Sequence, residues 1–171
     1  DKDSVTVAEI SSFQLETMVT FKPHVTAILN ITPDHLDRHK TLENYIAIKE
    51  SITKNQDEND FCVLNYNDPV LREFGKTPRC KVIFFSSSEE LESGVFLRGD
   101  TMIIKENGVE TPVCTTKDTS LVGMHNYENI MAAIAMTHAM GVPLDTIRQG
   151  IKEFTAVEHR IEFVAEKNGV K

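Results

Sequence analysis

The stretch from Val25 to Ile31 constrains the fold most strongly, because it is largely apolar on consecutive residues rather than on alternate ones. That pattern is typical of a strand that helices cover on both faces of a parallel sheet. Two similar runs and one short β-branched run are also predicted to be strands: Phe61 to Leu64, Lys81 to Phe85 and Val5 to Ile10. Helices are predicted over Leu42 to Lys54 and Pro69 to Phe74. Strands that alternate with helices predict an α/β domain with a mainly parallel sheet and flanking helices.

The middle of the chain predicts a small antiparallel β meander attached to that sheet. Three short strands are predicted over Val95 to Arg98, Thr101 to Lys105 and Val109 to Cys114. They are joined by Gly99-Asp100 and Asn107-Gly108, residues that tolerate the positive φ of tight hairpin turns.

Two helices are predicted after the meander. Asn126 is a favourable N-cap for the first, and Gly141 a favourable stop at its end. The second has one apolar face, formed by Leu144, Ile147, Ile151 and Phe154. A strand over Ile161 to Glu166 and a hairpin turn at Asn168-Gly169 are predicted beyond it. Because the sequence stops inside that hairpin, we expect the 171 residues to be part of a longer protein.

Composition and charge argue against several classes of function. The formal net charge of -8 is unfavourable for a general nucleic-acid or anionic-membrane surface, although a local basic pocket for phosphate is compatible with it. No apolar run approaches the length of a membrane span, and the first residues do not resemble a signal peptide. Cys62, Cys80 and Cys114 form no CxxC pair, so we expect reduced core thiols in a cytoplasmic protein.

Lys49 occupies an unexpected position in the helix predicted from Leu42. Its spacing from Tyr45, Ile46 and Ile52 puts it near the centre of the apolar face that these residues form with Leu42. One interpretation is a lysine whose stem packs on the apolar face while its amine reaches water. The other is a lysine held at a partly desolvated site, where its amine can react or be modified.

A charged cluster follows the strand that ends near Ile31. Asp34, His35, Asp37 and Arg38 come just after Pro33, in the region outside the carboxyl end of a parallel strand, where ligands bind in open sheets. Carboxylates and an imidazole at close range can bind a divalent cation or transfer a proton. The alternative is a polar loop that caps the next helix, with Arg38 paired to an aspartate.

Glu9 lies near the end of the predicted strand Val5 to Ile10. If this strand and Val25 to Ile31 are parallel neighbours, Glu9 and His35 emerge at the same edge of the sheet. A carboxylate there suits Mg²⁺, which prefers oxygen ligands. The alternative is a partly buried glutamate that caps the following helix.

Three other segments contain residue types that occur in phosphate or nucleotide sites. Gly75-Lys76-Thr77 lacks the earlier glycine and the following helix of a phosphate-binding loop, so a surface turn is predicted. Asn126 and Asn129 lie one turn apart near a helix start and could contact a planar base; the alternative for Asn126 is a plain N-cap. Arg160 could bind phosphate bidentately or form a surface salt bridge.

Several of these segments together resemble the central domain of the Mur ligase family, a P-loop NTPase-like fold that would be truncated here. The resemblance covers essentially the whole chain. The string Ser11 to Glu16 favours the branch of the family that adds D-glutamate over other Mur ligases and over folylpolyglutamate synthase. The matching segments are Glu9 to Glu16, Leu29 to His39, Tyr45 with Lys49, Gly123 to Asn129, and His159-Arg160.

The resemblance implies a reaction and a set of partners. A ligase of this branch uses ATP to phosphorylate the carboxylate of UDP-N-acetylmuramoyl-L-alanine, and the amine of D-glutamate then attacks the acyl phosphate, releasing phosphate and ADP. The expected cofactor is Mg²⁺, with Mn²⁺ as an alternative. The expected protein is a cytoplasmic monomer with no nucleic-acid or membrane partner.

The resemblance also implies roles for individual residues. Lys49, carbamylated into a carboxylate-like metal ligand, and His35 are the expected catalytic residues, and both belong with Glu9 to the expected metal site. Ser11, Gln14 and His35 correspond to muramoyl-substrate contacts. Asn126, Asn129 and Arg160 correspond to nucleotide contacts.

The chain departs from the family by lacking several expected parts. The phosphate-binding loop, the UDP-binding N-terminal domain and the C-terminal domain are missing from the sequence, so residues 1–171 are expected to be a partial central domain that is inactive alone. Two alternatives remain open: another amide ligase of the superfamily, and a non-catalytic binding module that keeps the fold.

Overall fold

A computed structural model describes residues 4–155 of the chain. Within this range the strands follow one another in a mixed six-stranded sheet in chain order, β1 to β6. The elements are α1 (Ser12–Leu15), β1 (Val25–Ile28), α2 (Leu36–His39), α3 (Leu42–Glu50), β2 (Phe61–Asn65), α4 (Pro69–Phe74), β3 (Lys81–Ser86), β4 (Gly94–Arg98), β5 (Thr101–Glu106), β6 (Val109–Thr115), α5 (Met124–Ala139) and α6 (Leu144–Glu153).

The chain divides into two compact units between residues 83 and 84. In the first unit, β1 and β2 pair in parallel, from Val25 opposite Phe61 to Ile28 opposite Leu64. The connection between them carries α2, α3 and a 3₁₀ turn at Ser51–Thr53. Consecutive apolar residues make β2 almost fully buried, and α4 packs against it, as predicted for a strand covered by helices.

The second unit contains the predicted antiparallel meander. The end of β3 pairs with β4 in parallel, and β4, β5 and β6 form consecutive antiparallel pairs. Gly99 has a φ of 63°, while Asn107 and Gly108 have φ values of 52° and 78°, so both predicted hairpin turns are confirmed. Helices α5 and α6 pack against β4 and β6, respectively.

The core of each unit is apolar, and the three cysteines are buried and free, as predicted. Gly75-Lys76-Thr77 forms a turn after α4, which confirms the surface-turn prediction. Between residues 4 and 155, no helix is long and apolar enough to cross a membrane. The fully or nearly fully buried side chains include Cys62, Val63, Leu64 and Leu71 in the first unit, and Phe85, Val95, Phe96, Met102, Met131 and Ile134 in the second.

The prediction of a strand from Val5 to Ile10 is wrong. These residues have no regular secondary structure, and Val5 and Val7 are 67% and 86% exposed. A strand needs a neighbour to bond its N–H and C=O groups. Strand β1, the expected neighbour, ends the described sheet and pairs there only with β2, so the apolar pattern alone is insufficient.

The prediction that Asn126 is an N-cap is also wrong. Helix α5 begins at Met124 after Gly123, whose φ of 102° turns the chain into the helix. Asn126 is therefore the third helical residue, and its Nδ2 donates to the carbonyl of Val122 at 2.8 Å.

Gly141 has a φ of 75° just beyond the helix, as predicted for its stop. The strand and turn predicted over residues 161–169 lie outside the described range.

Candidate functional site

Three helices of the first unit bring the predicted site segments together. Helices α1 and α2 both pack against α3. The ring of Phe13 lies 4.9 Å from that of His35 and 5.5 Å from that of His39. The His39 ring is 5.4 Å from Tyr45, and the Lys49 Nζ atom lies 5.4 Å from the centre of the Tyr45 ring. A continuous series of contacts therefore links His35 on one side to Lys49 on the other.

Ser11 and Gln14 form a capping box at the start of α1. The Gln14 N–H donates to Ser11 Oγ at 3.3 Å, and the Ser11 N–H donates to Gln14 Oε1 at 2.8 Å. The Ser11 hydroxyl also donates to Gln14 Oε1 at 3.0 Å. These mutual bonds stabilise a helix of only four residues and fix two predicted substrate-binding side chains on an exposed edge.

His35 stands at the turn into α2 with a left-handed backbone. Its φ is 51°, uncommon for a residue other than glycine. Its N–H donates to Asp34 Oδ1 at 2.8 Å, and its Nε2 lies 3.3 Å from Asp34 Oδ2. The side chain is half exposed. Asp34 thus holds the imidazole at the surface, where a ligand can reach it.

Arg38 pairs with Glu16 of the first segment, and not with an aspartate as in the alternative interpretation of the cluster. The Arg38 Nη2 donates to Glu16 Oε2 at 2.5 Å, and Nε lies 3.3 and 3.2 Å from the two carboxylate oxygens. This hydrogen bonding lowers the pKa of Glu16 and raises that of Arg38. The guanidinium also lies 5.3 Å from the Phe13 ring centre. The contacts tie α1 to α2 at the surface.

Beneath this ion pair lies His39, which sequence reasoning did not assign to the site. Its Nε2 is 3.0 Å from the Oγ of Ser12, and both residues are buried. Its Nδ1 is 3.3 Å from Glu16 Oε1. No local sequence pattern indicated these contacts, because they join residues 23 to 27 positions apart.

Lys49 is half buried on α3, with Tyr45 buried beside it. Glu9 is exposed and lies outside any helix or strand. Across residues 4–155, no three or more His, Cys, Asp or Glu side chains are grouped to hold a metal. A metal site formed by Glu9, His35 and Lys49 therefore stays a prediction.

The predicted nucleotide contacts lie in the second unit as far as they are described. Asn126 and Asn129 are three residues apart in the first turns of α5 and so lie on one side of it. Glu128, between them, accepts a hydrogen bond from Ser87 Oγ at 2.6 Å, which ties the start of α5 to the chain that follows β3. Arg160 lies outside the described residues.

The chain belongs to the Mur ligase family, because the family's middle domain matches residues 1–137. Two similar curated proteins are each named UDP-N-acetylmuramoylalanine--D-glutamate ligase. The one from Lachnoclostridium phytofermentans is 52% identical over 100% of this chain and 38% of its own length. The one from Lachnospira eligens is 50% identical over 99% of this chain and 38% of its own length. The chain thus spans well under half of these relatives.

Solved structures support the same fold. MurF from Acinetobacter baumannii superposes with a TM-score of 0.65 at 21% sequence identity, over 84% of this chain and 32% of that protein. A pseudomurein peptide ligase type C from Methanothermus fervidus superposes with a TM-score of 0.60 at 20% identity, over 81% of this chain and 36% of that protein. At such identities the likeness concerns the fold alone. The predicted α/β fold with a parallel sheet and a meander is confirmed.

Proposed function

We propose that this chain is the central domain of an ATP-dependent ligase that adds D-glutamate to UDP-N-acetylmuramoyl-L-alanine in the synthesis of peptidoglycan precursors. The observation that carries the proposal is the convergence of α1, α2 and α3, which brings the Ser11–Glu16 string beside His35 and connects it to Lys49 through His39 and Tyr45. The names of the two relatives that match the whole chain support it. In this proposal the phosphate-binding loop, the UDP-binding domain and the C-terminal domain lie outside residues 1–171, which are inactive alone.

The proposed reaction makes an amide from a carboxylate in two steps. A carboxylate oxygen of the muramoyl substrate takes the γ-phosphoryl group of ATP, which leaves ADP and an acyl phosphate. The amine nitrogen of D-glutamate then attacks the carbonyl carbon, the bond from carbon to the phosphate oxygen breaks, and the nitrogen loses a proton. Because both steps bring anions together, cationic groups must offset their repulsion.

The acidic substrate is proposed to contact the exposed edge formed by α1 and the turn before α2. Ser11 and Gln14 present polar atoms there, and the half-exposed His35 lies close by through Phe13. An imidazole and hydroxyl or amide groups can each donate to a carboxylate or a sugar oxygen. The capping box and Asp34 fix these groups before substrate arrives, which reduces the entropy lost on binding.

Lys49 is proposed to act as a carbamate in a Mg²⁺ site with Glu9 and His35. Mg²⁺ prefers oxygen ligands, which Glu9 and a carbamate would supply. An unmodified lysine is a cation and cannot serve. The described residues form no ready metal cluster, so the fit depends on this modification. When bound, the ion would offset the charge of the phosphates; Mn²⁺ would be an alternative.

The nucleotide is proposed to contact Asn126 and Asn129 on α5, with Arg160 beside the phosphates. Two amides on one side of a helix can read the edge of a planar base. The bond from Ser87 to Glu128 supports the proposal, because it fixes the first turns of α5. The ligase would act as a cytoplasmic monomer, and the three free thiols are compatible with a reducing compartment.

A second candidate is a non-catalytic binding module of the same fold. Glu9, one of the expected metal ligands, is exposed and lies outside any helix or strand, which this candidate accommodates. Another amide ligase of the superfamily is a third, which differs from the first in its acceptor amino acid.

One experiment separates the three candidates. ADP release would be measured for the complete protein that carries this domain, with UDP-N-acetylmuramoyl-L-alanine and either D-glutamate, L-glutamate, L-lysine or meso-diaminopimelate. We expect release with D-glutamate alone. Release with L-lysine but not D-glutamate would identify another ligase, and no release with any acceptor, although the substrate binds, would identify a binding module.

A further inference from the structure

We infer that His39 is a positioning residue, which joins α1 to α2 and fixes the spacing between His35 and Lys49. Its effect on the reaction rests on the proposed function, whereas its structural role does not. The inference comes from three observations: the imidazole is completely buried, each ring nitrogen has a polar atom within 3.3 Å, and the ring contacts two aromatic side chains, Phe13 and Tyr45.

The polar partners select one tautomer of His39. The imidazole is 0% exposed, and its Nδ1 has no hydrogen bond of good geometry within the described residues, yet it lies 3.3 Å from Glu16 Oε1. An ionised carboxylate only accepts hydrogen bonds, so the proton belongs on Nδ1. Nε2 then accepts a hydrogen bond from the Ser12 hydroxyl, whose Oγ lies 3.0 Å from it. A small approach of Glu16 would complete the bond and satisfy the buried nitrogen.

The order Ser12, His39 and Glu16 is that of a nucleophilic triad, but burial argues against such chemistry. Ser12 is 5% exposed and His39 4% exposed, so a substrate carbonyl cannot approach the Ser12 oxygen. The same hydrogen bonds instead determine how the imidazole is oriented. Glu16, which also binds Arg38, connects this buried pair to the surface ion pair.

Because of its ring contacts, the orientation of His39 determines the spacing between His35 and Lys49. Phe13 stacks on His39 with an interplanar angle of 20°, and Tyr45 meets it at 49°. Phe13 in turn touches His35, while Tyr45 touches Lys49. A rotated or missing imidazole would therefore change the distance between the two groups proposed to act together.

Three variants of His39 separate its contributions. His39→Asn carries an amide nitrogen near the position of Nδ1 and can donate to Glu16, but it loses the ring. His39→Gln carries an amide group near the position of Nε2 and can bond Ser12. His39→Phe keeps the ring and loses both polar bonds. His24→Phe is the matched control, because His24 is exposed and contacts Asp60 and Phe61 rather than the helices of the site.

The first test is nitrogen-15 NMR of histidine in the 171-residue chain. We expect the His39 proton on Nδ1. We also expect the His35 ring and Lys49 side-chain resonances to shift in His39→Phe and to return part of the way in His39→Asn, but to stay unchanged in His24→Phe. A proton on Nε2, or unchanged His35 and Lys49 resonances in a folded His39→Phe, would overturn the inference. If His39→Phe does not fold, His39→Asn decides by the same resonances.

The second test uses the complete protein in the ADP-release assay. His39→Phe should lower kcat about 10- to 100-fold, as loss of a group that orients metal ligands does, with an unchanged KM for ATP and partial recovery in His39→Asn. Unchanged kcat, or equal losses in all three variants with a raised KM for ATP, would contradict the positioning role. A wild-type protein without D-glutamate-dependent release would refute the proposed function, while the NMR result would still decide the role of His39.

Discussion

Asp68→Asn separates two stabilising roles that one carboxylate combines. Asp68 Oδ1 accepts from the N–H groups of Val70 and Leu71 at 2.9 and 3.3 Å, which caps α4. Its Oδ2 accepts from the N–H of Ile31 at 2.7 Å. That second bond holds the chain between β1 and the turn at His35, so the residue couples stability to the candidate site. Asparagine has one accepting oxygen and can keep only one of these roles.

The expected losses follow from the number of bonds removed. Loss of an N-cap costs about 1 kcal/mol, and loss of a charge-assisted hydrogen bond to a partly buried N–H costs about 2 kcal/mol. Asp68→Ala should therefore lower the free energy of unfolding by about 3 kcal/mol. Asp68→Asn, which retains the cap, should lower it by about 2 kcal/mol.

Urea unfolding followed by circular dichroism measures both losses, with unchanged m-values required for the comparison. Glu73→Gln is the matched control, since Glu73 is exposed and pairs with Lys76 at the surface, a pair worth about 0.5 kcal/mol or less. Amide NMR of Ile31 reports the second bond directly. If Asp68→Asn is as stable as the wild type while its Ile31 resonance shifts, the Ile31 bond contributes nothing and the reasoning fails.

Three further predictions concern the backbone, the pH response and the edge of the meander. Gly94→Ala should lower the free energy of unfolding by about 3 kcal/mol or more, because an added Cβ would lie 2.2 Å from the Phe84 carbonyl oxygen at a φ of 126°. Gly99→Ala, with open space at a φ of 63°, should lower it by about 1 kcal/mol. Equal losses of stability in thermal unfolding would contradict the steric argument. The hydrogen bond from Lys22, followed by that from the Asn59 N–H, lowers the pKa of Asp57 from 3.8 to about 2. A depressed folded-state pKa gives stability that is complete above pH 3.8 and lost as the pH falls toward 2. Asp57→Asn should therefore reduce the dependence of the unfolding midpoint on pH over that window. The same pH dependence in the variant and the wild type would be inconsistent with this assignment. Arg148→Lys should speed amide hydrogen exchange in β6. Arg148 Nε and Nη2 donate to the carbonyls of Val113 and Pro112 at 3.1 and 2.7 Å, and a lysine cannot make both bonds. Equal protection from exchange in the variant would argue against this role.

Local patterns explain the parts of the fold that sequence reasoning predicted. The consecutive apolar residues of β2 and the dipeptides Gly99-Asp100 and Asn107-Gly108 determine structure within a few residues of themselves. The strand predicted at Val5 failed because pairing depends on a neighbouring strand, which no local pattern specifies.

The candidate site shows the same division. The spacing on α3 predicted that Lys49 would be partly buried beside Tyr45, and both features are observed. The spacing did not predict His39, because its burial depends on Ser12, Phe13 and Glu16, which reach it only through packing of α1 near α2. Contacts between segments far apart in the chain determine the burial of residues such as His39, and a single sequence does not reveal those contacts.

The interpretation of Lys49 as a functional group rather than a lysine that merely reaches water is the central claim. It is tested most directly by Lys49→Ala in the complete protein, with ADP release measured in the presence and absence of acetate. Lys54→Ala is the control, since Lys54 is an exposed lysine just beyond α3. We predict that Lys49→Ala abolishes release and that acetate restores part of it by replacing the lost carboxylate-like ligand, while Lys54→Ala keeps full activity. Full activity of Lys49→Ala would contradict the account.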